Sequence, residues 1–260
     1  MTDPTGAGTR DGSDAPPIDA QEERRRGRIA GIVGFVAVAV FVASLGLARA
    51  GGGEGAGEPG SAKATRTDVD RQNELADLAA HADLHALGAA LKGVGLLICI
   101  PVGLYLIWLV ARRGVTVSAW VQRSLVVGAV LVTAAVMWRY FTLKDIADTY
   151  TSGPLTAKRA GDLIDGSDAA TSAALIELAA RAVFAFWVAR LSLAAMRVGL
   201  LTSFLGYWGV AGACAFPILP IGDAMFISWL VSIALLAFGY WPGGRPEAWE
   251  RRAAFDGPAL

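Results

Sequence analysis

Lys92–Ala111 reads KGVGLLICIPVGLYLIWLVA, and its single charge is at the first position. An α-helix rises 1.5 Å per residue, so this segment would be about 30 Å long, the thickness of a bilayer's hydrocarbon core. Its apolar residues go all the way round the helix, so it has no polar face to turn toward water. Stretches of the same character lie at Ile29–Leu47, Ser124–Phe141, Ala174–Met196, Val198–Phe216 and Ala224–Trp241. Pro217 and Pro220 close the fifth run and Pro242 the sixth, where proline cannot continue a helix. The expected fold class is all-α: a polytopic transmembrane helical bundle of six spans, about 29–47, 92–111, 124–141, 174–196, 198–216 and 224–241.

The composition agrees. Hydrophobic residues make up 54% of the 260 and charged residues 18%, with no net charge; the mean hydropathy is +0.48. A chain this apolar and uncharged lacks what keeps a monomer soluble in water. Two cysteines exclude a disulfide scaffold.

The zero net charge is a cancellation across the bilayer. Arg10, Arg24, Arg25, Arg26 and Arg28 precede the first span, Arg112, Arg113 and Arg123 flank the second connection, and Arg245, Arg251 and Arg252 follow the sixth. Acids dominate the other side. By the positive-inside rule this predicts a cell-membrane protein with both termini cytoplasmic. Residues 1–28 form a disordered tail with a basic juxtamembrane run, 48–91 and 142–173 are outer loops, and 242–260 is a second cytoplasmic tail. Ala48-Arg49-Ala50 also fits a signal-peptide cleavage site, although the preceding apolar run is long for one. Cleavage would leave five spans.

Gly51–Ala64 reads as a flexible linker. From Thr67 to Leu87 there is no Gly or Pro, which predicts an outer helical extension running straight into the second span. Along such a helix Asp70, Glu74, Asp77, His81, His85, Gly88 and Lys92 share one face, and Gly95, Cys99 and Gly103 continue it as a small-residue packing seam. The polar part would overhang the bundle as a vestibule. His81 and His85 are one turn apart, with Asp77 a turn earlier. The triplet can chelate a divalent metal or sense acidification. It can equally be the polar face that any helix outside a membrane needs.

Glu177 and Arg181 are four residues apart inside the fourth span; Lys92 and Arg139 end the second and third spans on the same side. Charges in lipid are costly and point inward. Lys92, Arg139, Glu177 and Arg181 could form an anion or proton site, with Lys92 meeting Glu177, or they could pair to fix helix packing. Arg190 should face the opposite side. Gly206, Gly209 and Gly212 suit close packing of the fifth span.

The sequence holds no phosphate-binding loop, dinucleotide fingerprint or zinc-protease motif, so no cofactor is expected and the reading leans away from an enzyme. The basic run beside the first span is a topology signal, so nucleic acid is not an expected partner; the lipid bilayer, other membrane proteins or a second copy of the chain are. Ala195-Met196-Arg197-Val198-Gly199-Leu200-Leu201 and Trp241-Pro242-Gly243-Gly244-Arg245-Pro246-Glu247-Ala248-Trp249 resemble uncharacterised six-span membrane proteins of actinobacterial type. That resemblance implies topology and carries no activity. The sequence supports a non-enzymatic interaction or scaffold role first. Its alternatives are a small-solute or proton-coupled transporter and an outer-face metal or pH sensor.

Overall fold

The computed structural model describes residues 20–50, 66–218, 221–241 and 246–249. The first 19 residues of the expected tail, the expected linker at Gly51–Ala64 and most of the 242–260 tail lie outside these ranges. The described residues form eight α-helices and a short 3₁₀ turn, with no strand among them. In chain order these are α1 (Ala20–Ala50), α2 (Arg66–Ala80), α3 (Ala82–Arg112), α4 (Ala119–Thr151), α5 (Ala157–Asp165), α6 (Asp168–Arg197), α7 (Ser203–Ile218) and α8 (Ile221–Phe238). Glu247–Trp249 is the 3₁₀ turn.

Five of them, α1, α3, α4, α6 and α8, are long and apolar enough to cross a membrane. The fifth expected span is shorter: α7 has 16 residues, about 24 Å of helix. Its start is delayed by a turn in which Gly199 takes a φ of 71°, a left-handed conformation that suits glycine. Its end at Ile218 precedes Pro220, which cannot supply a backbone donor. Helices α4, α5 and α6 start at Ser118, Thr156 and Ser167, whose hydroxyls accept from the backbone N–H of Trp120, Arg159 and Ala170.

The large helices pack in antiparallel pairs: α1 against α3 and α8, α3 against α4, α4 against α6, and α6 and α8 against α7. Neighbouring apolar helices gain little from leaving lipid for each other, so association depends on close fit and polar contacts. Small residues supply the fit. A Cβ on Gly128 of α4 would lie 2.6 Å from Phe184 Cα of α6, so the two backbones touch there. One on Gly95 would lie 2.9 Å from Phe41 of α1, and one on Gly103 would lie 2.6 Å from Leu125 of α4. Cys99 is fully buried, and its thiol donates to the Gly95 carbonyl at 3.1 Å. The Gly95–Cys99–Gly103 seam therefore faces protein along its length but serves two neighbours, α1 and α4. In α7, Gly209 makes room for Ser192 and Trp229. Phe184, Trp187, Phe216, Phe226 and Trp229 fill the centre as a continuous aromatic cluster, with Phe184 and Trp187 centroids 5.5 Å apart and Trp187 and Trp229 5.9 Å apart.

The start of α1 lies beside the end of α8, since Gly27 sits under the Ala237 carbonyl. This end is called the terminal side here. The expected basic juxtamembrane run is helical, forming the first turns of α1. Arg26 and Arg112 lie over the Trp108 ring at 5.0 and 5.4 Å. Arg113 donates to Glu23 at 2.9 Å and to the Ala248 carbonyl at 2.8 Å. Trp249 is buried, and its indole N–H donates to the Leu200 carbonyl at 2.7 Å. The α6–α7 turn and the C-terminal segment are thus in contact.

At the far side the expected straight extension is broken at His81, where φ is −129° and ψ 37°. Helix α2 leaves the α3 axis and lies on α4 and α5. The cause is burial: Leu75 and Leu78 of α2 join Ala147, Tyr150 and Ala160 in a second core, which a straight helix would leave exposed. Arg71 donates to Asp165 at 2.8 Å and Gln72 to the Leu155 carbonyl at 3.1 Å, fixing α2 against α5 and its preceding loop. The Asp165 hydrogen bond, foremost, pushes the Arg71 pKa upward. The 142–173 connection is mostly helical, with α4 extending to Thr151 and α5 following.

Candidate functional site

Arginine 181 lies on α6 one turn after Glu177, so the acid precedes the base in the favourable order for a helical pair. Its Nη2 is 2.6 Å from Glu177 Oε1 and its Nε donates to the same oxygen at 2.8 Å. The other Glu177 oxygen accepts from Arg139 Nη1 of α4 at 3.0 Å. Glu177 thus holds two guanidiniums from two helices and is buried among them.

On its opposite side Arg181 reaches α7 and α8. Nη1 donates to the Phe216 carbonyl at 3.2 Å. That carbonyl is available for a simple reason: the residue four positions on is Pro220, which has no N–H to give it. The same guanidinium lies over the Phe216 ring at 5.3 Å and 3.6 Å from Asp223 Oδ1 in the first turn of α8. Asp223 Oδ2 accepts from Lys92 Nζ of α3 at 2.6 Å.

The result is a chain of alternating charge, Lys92–Asp223–Arg181–Glu177–Arg139, crossing α3, α8, α6 and α4 and touching the end of α7. The sequence reading brings together Lys92, Arg139, Glu177 and Arg181, and all four belong to it. The expected Lys92–Glu177 pairing does not occur; Asp223 stands between them. Asp223 is the residue that sequence reasoning misses, because one acid in a first helical turn looks like an ordinary response to the helix dipole. Its signal is its place in an otherwise apolar helix, three residues after Pro220. Lys92 is 20 residues from Arg112 along α3, about 30 Å, which puts the network at the far edge of the apolar zone.

Exposure varies along the network. Glu177, Asp223, Lys92 and Arg181 side chains are between 7% and 16% exposed, whereas Arg139 is 46% exposed. Two cavities open at the far side between α4, α5 and α6. The larger, about 620 Å³, lies among Trp138, Asp145, Thr149, Asp162 and Ser167. The smaller, about 290 Å³, is lined by Arg139, Thr142, Asp165 and Thr171 among others. Neither is lined by Lys92, Glu177, Arg181 or Asp223. Arg190 is exposed, away from the network.

Asp77, His81 and His85 also come together, around the break between α2 and α3. Asp77 Oδ1 is 3.0 Å from His81 Nδ1, and Oδ2 is 2.7 Å from His85 Nε2. Each carboxylate oxygen faces one ring nitrogen, so each ring carries its proton on the nitrogen facing Asp77. A bound cation needs those atoms to converge on it with lone pairs free. Among the described residues no group of three or more His, Cys, Asp or Glu side chains is arranged to hold a metal ion. The predicted vestibule face is dispersed: Asp70 and Glu74 are exposed on α2, while Gly88 is buried on α3.

Neither protein-family models, curated proteins nor solved structures match this chain.

Proposed function

We propose that this multi-pass membrane protein has a non-enzymatic interaction or scaffold role in the cytoplasmic membrane. In this reading α7 crosses the membrane as a short sixth span, and both termini are cytoplasmic, as the excess of Arg on that side favours. The family resemblance at Ala195–Leu201 and Trp241–Trp249 favours the same topology. The observation that carries the proposal is the internal pairing of the charge network: Lys92, Glu177, Arg181 and Asp223 meet one another across helices and line neither cavity. Charges that neutralise each other at a helix junction set which helices pack together. The α2–α5 cap would be the surface offered to other membrane proteins or to a second copy.

The deciding experiment compares Glu177→Gln with the wild type for membrane abundance and for anion and proton flux in proteoliposomes. A packing role predicts loss of folded protein and no flux in the wild type. Normal abundance combined with altered flux would overturn the proposal and assign the network to transport.

A further inference from the structure

The charge network contains three cations, Lys92, Arg181 and Arg139, and two carboxylates, Asp223 and Glu177. One positive charge is left over at the edge of an apolar zone, where an uncompensated charge is costly. The excess is localised by geometry. Arg181 is engaged with Glu177, the Phe216 carbonyl and Asp223, and Lys92 with Asp223. Arg139 is the outermost member, shares Glu177 with Arg181, and has the most exposed side chain of the five. Among the described residues, one of its five donors is used, Nη1 toward Glu177 Oε2.

Arg139 lines the 290 Å³ groove between α4 and α6, together with Thr142, Thr171, Ile164, Asp165 and Leu175. The carboxylate at the other end of the groove, Asp165, accepts from Arg71 at 2.8 Å, and Arg71 also faces Asp68 at 3.8 Å, so an anion would seat at the Arg139 end. The groove therefore presents a guanidinium and two hydroxyl-bearing side chains beside an apolar wall. Leu175 lines it and is exposed, and Trp138 and Phe141 are exposed on α4 on either side of Arg139 in the chain; exposed aromatic side chains at this level mark the boundary between headgroups and acyl chains.

We propose that this groove binds the headgroup of an anionic phospholipid, with the phosphodiester on Arg139 and an acyl chain running from it toward the apolar zone, down the same face of α6 past the exposed Leu178. A planar guanidinium can hold two phosphate oxygens at once, which a lysine cannot do. One phosphodiester carries one negative charge, which neutralises the network's excess. A lipid occupant also explains why the cation lies beside exposed apolar side chains, where a free phosphate would gain nothing.

The test uses the full chain purified in neutral detergent after reconstitution in vesicles of equal parts phosphatidylcholine and phosphatidylglycerol. Native mass spectrometry should show one retained phosphatidylglycerol in preference to phosphatidylcholine. Arg139→Gln should weaken retention about tenfold or more, as losing a charged hydrogen bond does, while Arg190→Gln should leave it unchanged. Thr171→Tyr fills the groove from an exposed position on α6 and leaves the charge network intact, so it should also abolish retention even if Arg139→Gln fails to fold. Equal loss in Arg139→Gln and Arg190→Gln would show diffuse electrostatic attraction and overturn the site. Full retention in Thr171→Tyr would overturn it too. Displacement of the lipid by millimolar inorganic phosphate would reassign the groove to a free anion.

Discussion

Lys92 and Asp223 are 131 residues apart in the chain and meet at 2.6 Å, joining α3 to the first turn of α8. Both side chains are largely removed from solvent. Removing one partner of a buried pair leaves the other charge uncompensated, at a cost of about 3–5 kcal/mol. Asp223→Asn and Lys92→Met should each lower the thermal midpoint in detergent and the abundance in membranes. Lys92→Met combined with Asp223→Leu should recover part of the loss, because two apolar side chains leave no unpaired charge between these helices. A double variant no better than the worse single would show that the pair does not act as a unit.

Gly128 and Gly46 make opposite predictions for the same substitution. A Cβ at Gly128 would press on the Phe184 backbone at 2.6 Å, whereas one at Gly46 would meet nothing within 4 Å. Backbone cannot move aside as a flexible side chain can, so Gly128→Ala should destabilise by about 1–3 kcal/mol through overpacking. Gly46→Ala should be neutral or stabilise by about 0.5–1 kcal/mol, because alanine is the better helix former. Thermal unfolding of both variants in one detergent checks this, and equal midpoints would mean that α4 and α6 can separate freely.

Five of the expected spans are legible in sequence because the signal is local: some twenty apolar residues in a row identify a helix long enough to span without knowledge of its neighbours. Lys92–Ala111 is the clearest case, and α3 covers it entirely. What pairs with Lys92 is a tertiary question. Depth points to Glu177, and helical periodicity within one span carries no sign that Asp223 of another helix stands between them. The break at His81 was hidden for the same reason. Thr67–Leu87 has no Gly or Pro, so local propensity favours one unbroken helix. Burial of Leu75 and Leu78 against residues as distant as Ala160 overrides it. The small-residue seam was legible as buried, but its division between α1 and α4 depended on which helices flank α3.

Asp77 faces both His81 and His85 across the α2–α3 break. The bond to His85 spans His81, the residue at which the helix changes direction, and the other holds His81 itself, so together they restrain the angle between α2 and α3. Asp77→Ala should leave the transmembrane bundle intact and loosen the cap. Hydrogen exchange should quicken in α2 and the first turn of α3 while α4 and α6 stay protected. The loss should be about 1–3 kcal/mol locally, the scale of hydrogen bonds involving a charged group. Unchanged exchange in α2 would mean that Leu75 and Leu78 alone hold the cap in place.

Trp249 ties the C-terminal segment to the α6–α7 turn through its indole bond to the Leu200 carbonyl, and Arg113 holds the preceding Ala248 carbonyl. The Leu200 carbonyl is in a turn, outside any helical ladder, so it depends on a donor from elsewhere. Trp249→Ala removes the donor and empties a buried site, which should cost about 3–5 kcal/mol. Trp249→Phe keeps most of the volume and loses the hydrogen bond, so it should cost about 1–3 kcal/mol. The damage should be confined to the terminal side: cysteines placed at 200 and 201 should become reactive to a membrane-impermeant thiol reagent, after Cys214 has been replaced by serine. The Lys92–Asp223 end, at the opposite edge of the bundle, should be unaffected. If both variants leave positions 200 and 201 protected, the α6–α7 turn is closed by helix packing alone and the C-terminal anchor is dispensable.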